Sequence, residues 1–197
     1  MKLAIIGCAR SDIKHTVELL QFANIRVGFE KLLDDGIGSW FASADDVEIE
    51  HRSENGDFKP MALEHFSYVV HQTRHPLAVI SSLQRTPMQR EQQKFVQKHV
   101  RTLGSPDSLL WAMTYWLNWT DLCASKTDLQ FRVEVVQWTL PALYLYTKRS
   151  TKGCLQAVQH VVQKTTETII MWKDLDNENR AIADKIRRRA QFYGYDL

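Results

Sequence analysis

The feature that most constrains this chain is the uninterrupted apolar run Leu3-Ala4-Ile5-Ile6, closed by Gly7 and followed by Val17, Leu20 and Ala23 at helical spacing. A strand without polar alternation has both faces covered, as in the parallel sheets of α/β proteins. With the glycine and the helix behind it, the run makes a first strand-turn-helix unit. Residues 26–29 read as a further short strand, residues 36–44 as a short helix after an Asp-Gly turn, and residues 51–60, with Asn55-Gly56 and Pro60, as a polar loop. Ser67-Tyr68-Val69-Val70-His71 is another buried strand, and Pro76 suits the first turn of the helix after it. Helices are expected over residues 88–102 and 108–125, the second capped by Asp107 or Ser105, then a strand over 129–133 and helices over 136–147 and 175–192. Residues 147–164 are the least legible stretch. Strands alternating with helices predict a mainly parallel central sheet covered on both faces. A length of 197 residues, with no linker, repeat or low-complexity tract, predicts a single domain over 1–197.

Composition narrows the function classes. A hydrophobic content of 44% with 24% charged residues argues against disorder, and a formal charge of +2 is too small for a nucleic-acid surface. The short basic cluster at 185–189 shares a helical pattern with Ile182, Ile186 and Ala190 and reads as a solvated face. Cys8, Cys123 and Cys154 are far apart and form no paired motif, so neither a disulfide framework nor a metal site is expected. No signal-peptide core and no apolar run of membrane-spanning length is visible, so the expectation is a soluble cytoplasmic protein with no membrane or nucleic-acid partner.

In sheets of this kind ligands lie beyond the carboxyl ends of the strands, which singles out three corners: residues 7–14, 29–30 and 73–76. In Gly7-Cys8-Ala9-Arg10-Ser11-Asp12-Ile13-Lys14 a glycine turn leads to a helix start whose free N–H groups favour an anion, and Arg10 adds a guanidinium. The plain alternative is a turn with Gly7 for geometry and Asp12 as helix cap. Asp12 and Ile13 stand where a kinase-type phosphate loop needs glycine and lysine, which disfavours a phosphoryl transferase. At the third corner Arg74 follows a strand, Pro76 starts a helix, and Ser82 lies two turns in, an arrangement that sets guanidinium and hydroxyl around one phosphate.

This segment, Thr73-Arg74-His75-Pro76-Leu77-Ala78-Val79-Ile80-Ser81-Ser82, resembles the 3′-phosphate element of nucleotide-dependent sulfotransferases. In that family an arginine after a strand and a serine eight positions on hold the 3′-phosphate of 3′-phosphoadenosine 5′-phosphosulfate. Gly7-Cys8-Ala9-Arg10-Ser11 is similar to the start of the family's 5′-phosphosulfate loop, and Val27-Gly28-Phe29-Glu30 with Asp35-Gly36-Ile37-Gly38-Ser39-Trp40 is similar to a pattern of its microbial and marine members. The helix with Trp111 and Trp119, Phe131-Arg132-Val133-Glu134, Trp172-Lys173-Asp174-Leu175 and Tyr193-Gly194-Tyr195 follow in the same order. The resemblance leaves out residues 85–105 and 147–165. It implies a P-loop-type three-layer α/β/α fold and sulfuryl transfer from 3′-phosphoadenosine 5′-phosphosulfate to a hydroxyl or amine of a small-molecule or glycan acceptor. The implied nucleotide-binding residues are Gly7, Arg10, Ser11, Lys14, Arg74 and Ser82. Arg10 would stabilise charge on the leaving phosphate, and Glu30 would take the acceptor proton, with His71 and His75 as reserves.

The departures have consequences. Asp12, Ile13 and Lys14 replace the family's Gly-Thr-Thr, and Phe29 replaces a histidine. A carboxylate roughly 5 Å from a phosphate costs about 3 kcal/mol at an effective dielectric near 20, part of which Lys14 offsets. A non-catalytic protein that keeps the fold and binds a 3′-phosphoadenosine nucleotide or another ligand is therefore the alternative expectation. Trp111, Tyr115 and Trp119 share one helical face, whose commoner use is core packing, and Glu134 beside Arg132 reads as a structural pair.

Overall fold

The computed structural model describes residues 2–44, 51–52, 58–59, 62–127, 129–136 and 169–197. The apolar run forms strand β1, Leu3–Ile6, in which no residue is more than 2% exposed. Helix α1, Ile13–Phe22, turns Ile13, Val17 and Leu20 inward. Two short strands follow, β2, Val27–Phe29, and β3, Gly36–Gly38.

The strand β3 replaces the helix expected over residues 36–44, of which only a 3₁₀ turn, Phe41–Ser43, is helical. Two glycines in three residues disfavour a helix by about 1 kcal/mol each, and the segment gains parallel ladders to β1 and β2 on its two edges. A Cβ at Gly38 would lie 2.4 Å from the Val17 side chain, so glycine there lets α1 close onto the sheet. In the region expected to be a polar loop, β4, His51–Arg52, and β5, Phe58–Lys59, make a separate antiparallel ribbon.

Strand β6, Tyr68–Thr73, is followed by α2, Pro76–Arg85, α3, Arg90–His99, α4, Leu109–Ala124, and β7, Leu129–Arg132. Neither Asp107 nor Ser105 caps α4; Ser108 does, its Oγ accepting the Trp111 N–H at 3.1 Å. The last helix, α5, Trp172–Phe192, is interrupted at Asn179, whose Oδ1 accepts the Ile182 N–H at 3.1 Å and caps the second half. The helix expected over 136–147 and the stretch 147–164 lie outside the described residues, apart from Val136.

The central sheet runs β2-β3-β1-β6-β7, and every neighbouring pair is parallel. This is the α/β architecture expected, a three-layer α/β/α fold around a parallel central sheet. The aromatic face of α4 is core: Trp111, Tyr115, Trp116 and Trp119 are each 1% exposed or less, and Trp111 stacks on Tyr115 with centroids 5.3 Å apart. Each such ring removes about 150–250 Å² from water, which makes α4 a main anchor of the fold. Among the described residues no helix is long and apolar enough to cross a membrane.

One buried polar group makes the fold pH-sensitive. His71 on β6 is 1% exposed, stands edge-on to Tyr193 at 5.6 Å, and has no hydrogen-bond partner for Nδ1 among the described residues. Burial, reinforced by the positive charge of Arg189, pushes its imidazole down to about 3. The folded value lies below the unfolded one of about 6.5, so the stability this histidine contributes is present above pH 6.5 and is lost as pH falls towards 3. Over that window one proton taken up on unfolding gives a slope of about 1.4 kcal/mol per pH unit. In denaturant titrations His71→Phe is expected to remove one proton's worth of that slope, and an unchanged slope would contradict a neutral buried His71.

Candidate functional site

The chain leaves β1 through α1 towards β2 on one side of the sheet centre, and leaves β6 through α2 towards β7 on the other. Since β1 and β6 are neighbours, their carboxyl ends flank a topological switch point, where ligands of open α/β sheets bind. The loop after β1 and Arg74 after β6 meet there.

The loop lies against β6 because position 7 carries no side chain. A Cβ on Gly7 would sit 2.5 Å from the Gln72 carbonyl oxygen and 2.8 Å from Ser11 Oγ. Four contacts then fix the loop. The Ala9 N–H donates to the Tyr115 hydroxyl at 2.7 Å, and the Ser11 N–H donates to the Cys8 carbonyl at 3.1 Å. Gln72 Nε2 donates to the Ser11 carbonyl at 2.5 Å, and Arg74 Nη1 donates to the Arg10 carbonyl at 2.8 Å. Arg10 and Asp12 both take positive φ, 70° and 61°, a strained setting for residues other than glycine. Cys8 is buried, which pushes its thiol upward and keeps it protonated and unreactive.

Arg74 is 6% exposed, and its Nη1 lies 3.1 Å from Asp12 Oδ2. Asp12 occupies the N-cap position of α1 but makes no capping hydrogen bond with its side chain, unlike the cap of the plain alternative reading. Its carboxylate turns to the arginine that the resemblance assigns to a 3′-phosphate. Burial raises the Asp12 carboxyl, Arg74 and His15 pull it back down, and Glu134 raises it further. The corner is thus a buried cation with a half-exposed acid beside it.

The other expected residues are placed less uniformly. Arg10 reaches the end of α2, its Nη2 donating to the Thr86 carbonyl at 3.0 Å, while the Thr86 N–H donates to the Ser82 carbonyl at 3.0 Å. Ser82 is half-buried on α2, whereas its neighbour Ser81 is fully buried and accepts the Ile170 N–H at 3.0 Å. Ser11 is 1% exposed, and its Oγ has no partner among the described residues. Lys14 points away from the corner: its side chain is 69% exposed and its Nζ lies 3.9 Å from Glu18 along α1.

Glu30 sits at the same carboxyl edge, at the end of β2, with φ 52°. Its Oε2 accepts the Ser39 hydroxyl and its Oε1 accepts the Trp40 N–H at 3.3 Å, which ties the ends of β2 and β3 together. Burial raises its carboxyl, and the bonds from Ser39 and Trp40 act against that rise. Of the reserve bases, His71 is inside the core. His75 donates its backbone N–H to Glu134 Oε1 at 2.8 Å, and its ring stands edge-on to Tyr195 at 5.3 Å.

Glu134 gains a role not expected from its place beside Arg132. Its Oε2 accepts the Tyr195 hydroxyl at 3.0 Å, while Arg132 donates to the Gly194 carbonyl and lies over the Tyr195 ring. Gln72, Tyr115, Glu134 and Tyr195 all shape the corner; the sequence placed Tyr115 in the core, Glu134 in a pair with Arg132 and Tyr195 in a terminal turn, and assigned none of them to the site. Among the described residues no group of three or more His, Cys, Asp or Glu side chains converges as a metal site. No model of a known protein family matches this sequence, and no curated protein matches it at a significant level.

Tyr115 links core and corner, which makes it separable by mutation. Tyr115→Phe keeps the stacked ring but leaves the Ala9 N–H without its acceptor, an expected loss of about 1–3 kcal/mol in unfolding free energy. Amide exchange at Ala9 is expected to speed up with it; unchanged exchange would mean the hydroxyl does not hold the loop.

Proposed function

We propose that this chain binds a 3′-phosphoadenosine nucleotide at the switch point between β1 and β6 and acts as a sulfotransferase on a small-molecule or glycan acceptor. The observation that carries this reading is Arg74: a residue 6% exposed just after β6, its guanidinium held against the loop that follows β1. Buried guanidinium groups that face a glycine-turned loop suit the oxygens of a phosphate. In this reading the co-substrate is 3′-phosphoadenosine 5′-phosphosulfate. An acceptor O–H or N–H attacks sulfur in line, the bond from sulfur to the 5′-phosphate oxygen breaks, and 3′,5′-adenosine bisphosphate leaves. Arg10 is the residue assigned to the charge that builds on that oxygen, and Glu30 is assigned to take the acceptor proton. As base, Glu30 has to be ionised, and its two bonds from Ser39 and Trp40 favour the ionised form.

A second reading, a non-catalytic protein that retains the nucleotide, is favoured by one observation. The Ala9 N–H, the Arg10 side chain and Arg74 are already engaged by Tyr115, Thr86 and Asp12. Calorimetry with 3′,5′-adenosine bisphosphate against ATP and magnesium tests the nucleotide class common to both readings. Arg74→Ala is expected to weaken the bisphosphate by about 1.5–3 kcal/mol more than it weakens AMP. Equal losses would remove Arg74 from the 3′-phosphate.

Turnover separates the two readings. With an acceptor in hand, Glu30→Gln is expected to lower turnover by about 10²-fold with little change in nucleotide affinity. In the wild type, turnover should fall on acidification as Glu30 takes up its proton, with a midpoint above the ordinary glutamate value of about 4.3, because burial raises it. Full activity in Glu30→Gln would leave the residue as a brace between β2 and β3 alone.

A further inference from the structure

The pair Asp12–Arg74 sets a carboxylate directly beside a guanidinium. Asp12 Oδ2 is 3.1 Å from Arg74 Nη1, and the two side chains are 42% and 7% exposed. The guanidinium is therefore walled in, while the carboxylate stands half in solvent in front of it. The left-handed backbone at Asp12, φ 61°, sets it there, and no capping bond draws it back to α1. The other titratable groups that act on Asp12 are His15 on α1 and Glu134 beyond β7.

An anion that reaches this corner meets acceptor oxygens as well as a donor. Sulfate is fully ionised near neutral pH and presents only acceptors, so its oxygens and the Asp12 carboxylate have no proton to share. Hydrogen phosphate has the same tetrahedral shape and the same double negative charge, yet it keeps one O–H. That proton makes a short charge-assisted bond to a carboxylate oxygen while the remaining oxygens accept from the guanidinium. A site built to receive an O–H discriminates strongly against the isostere that lacks it, because the mismatched polar groups are left opposed.

We infer that Asp12 and Arg74 together form a phosphoryl-selective anion site, which admits a tetrahedral anion that carries an O–H and disfavours sulfate, an ion of equal charge and shape. The inference rests on the reading above in taking Arg74 as the residue that meets a phosphate. It gives Asp12 a positive role there, where a carboxylate was expected only to repel. A nucleotide monophosphate enters such a site as its protonated form, taking up a proton when the solution species is the dianion.

Inorganic hydrogen phosphate and sulfate, titrated at about pH 8 into the full chain, test this directly. At that pH both are dianions, so the fields of His15 and Glu134 act on them equally. Amide NMR shifts of Arg10, Ser11, Asp12 and Ile13 report binding. The dissociation constant for phosphate is expected to be at least about tenfold below that for sulfate. In Asp12→Asn, whose amide donates to either anion, the two constants should come within about threefold. Asp12→Gly, which accepts the positive φ without strain, should show the same loss of preference should the first variant fold poorly. Equal binding of the two anions to the wild type, no response to either, or a preference that survives both substitutions would overturn the inference. If phosphate preference holds while 3′,5′-adenosine bisphosphate fails to bind, the anion site stands and the nucleotide reading falls.

Discussion

The close approach of two backbones at Gly7 governs much of this molecule. With its Cα packed against the Gln72 carbonyl, the chain leaves β1 over the end of β6 instead of rising away from the sheet. Any side chain there would set its Cβ 2.5 Å from that carbonyl oxygen and force the loop to shift. It would also separate the Gln72 carboxamide from Ser11 and the Arg74 guanidinium from Arg10, the two bonds that tie the loop to β6. The corner thus depends on a steric permission granted at one position, and the polar contacts follow from it.

Around that corner charge is balanced locally. Arg74 meets Asp12, Arg10 meets the carbonyl at the end of α2, and Glu134 takes donors from His75 and Tyr195. Groups this close to a low-dielectric core cannot stay unmatched without a cost of several kcal/mol, and here the protein supplies the partners itself. A ligand here exchanges one set of partners for another. On the reading proposed above, the net affinity would be the difference between two matched states.

The strand-turn-helix unit at residues 3–22 and the strand-arginine-helix unit at 68–85 were legible in the sequence because each is written in neighbouring residues: an apolar run, a glycine or proline, then helical spacing. The strand at Gly36–Gly38 was not, because its pairing partners are β1 and β2 and its own residues have little local preference. The candidate site divides in the same way. Arg74, Arg10 and Gly7 stand next to strand ends and could be read from position alone. The turn of Asp12 towards Arg74, the bond from Ala9 to Tyr115 and the bonds of Glu134 join residues roughly sixty to a hundred positions apart. Spacing in one chain does not encode such contacts, and Lys14, adjacent in sequence to the corner, points away from it for the same reason.

Three residues at the carboxyl edge, Arg10, Asp12 and Glu30, hold the left-handed backbone region that glycine occupies freely. Each forfeits about 1 kcal/mol or more relative to a residue suited to that geometry. A directed-evolution campaign that selected only for heat resistance would therefore drift towards glycine at all three positions. It would deliver a sturdier scaffold stripped of two acids and a guanidinium at the one edge where they gather, so stabilising this protein and preserving its chemistry are competing engineering goals.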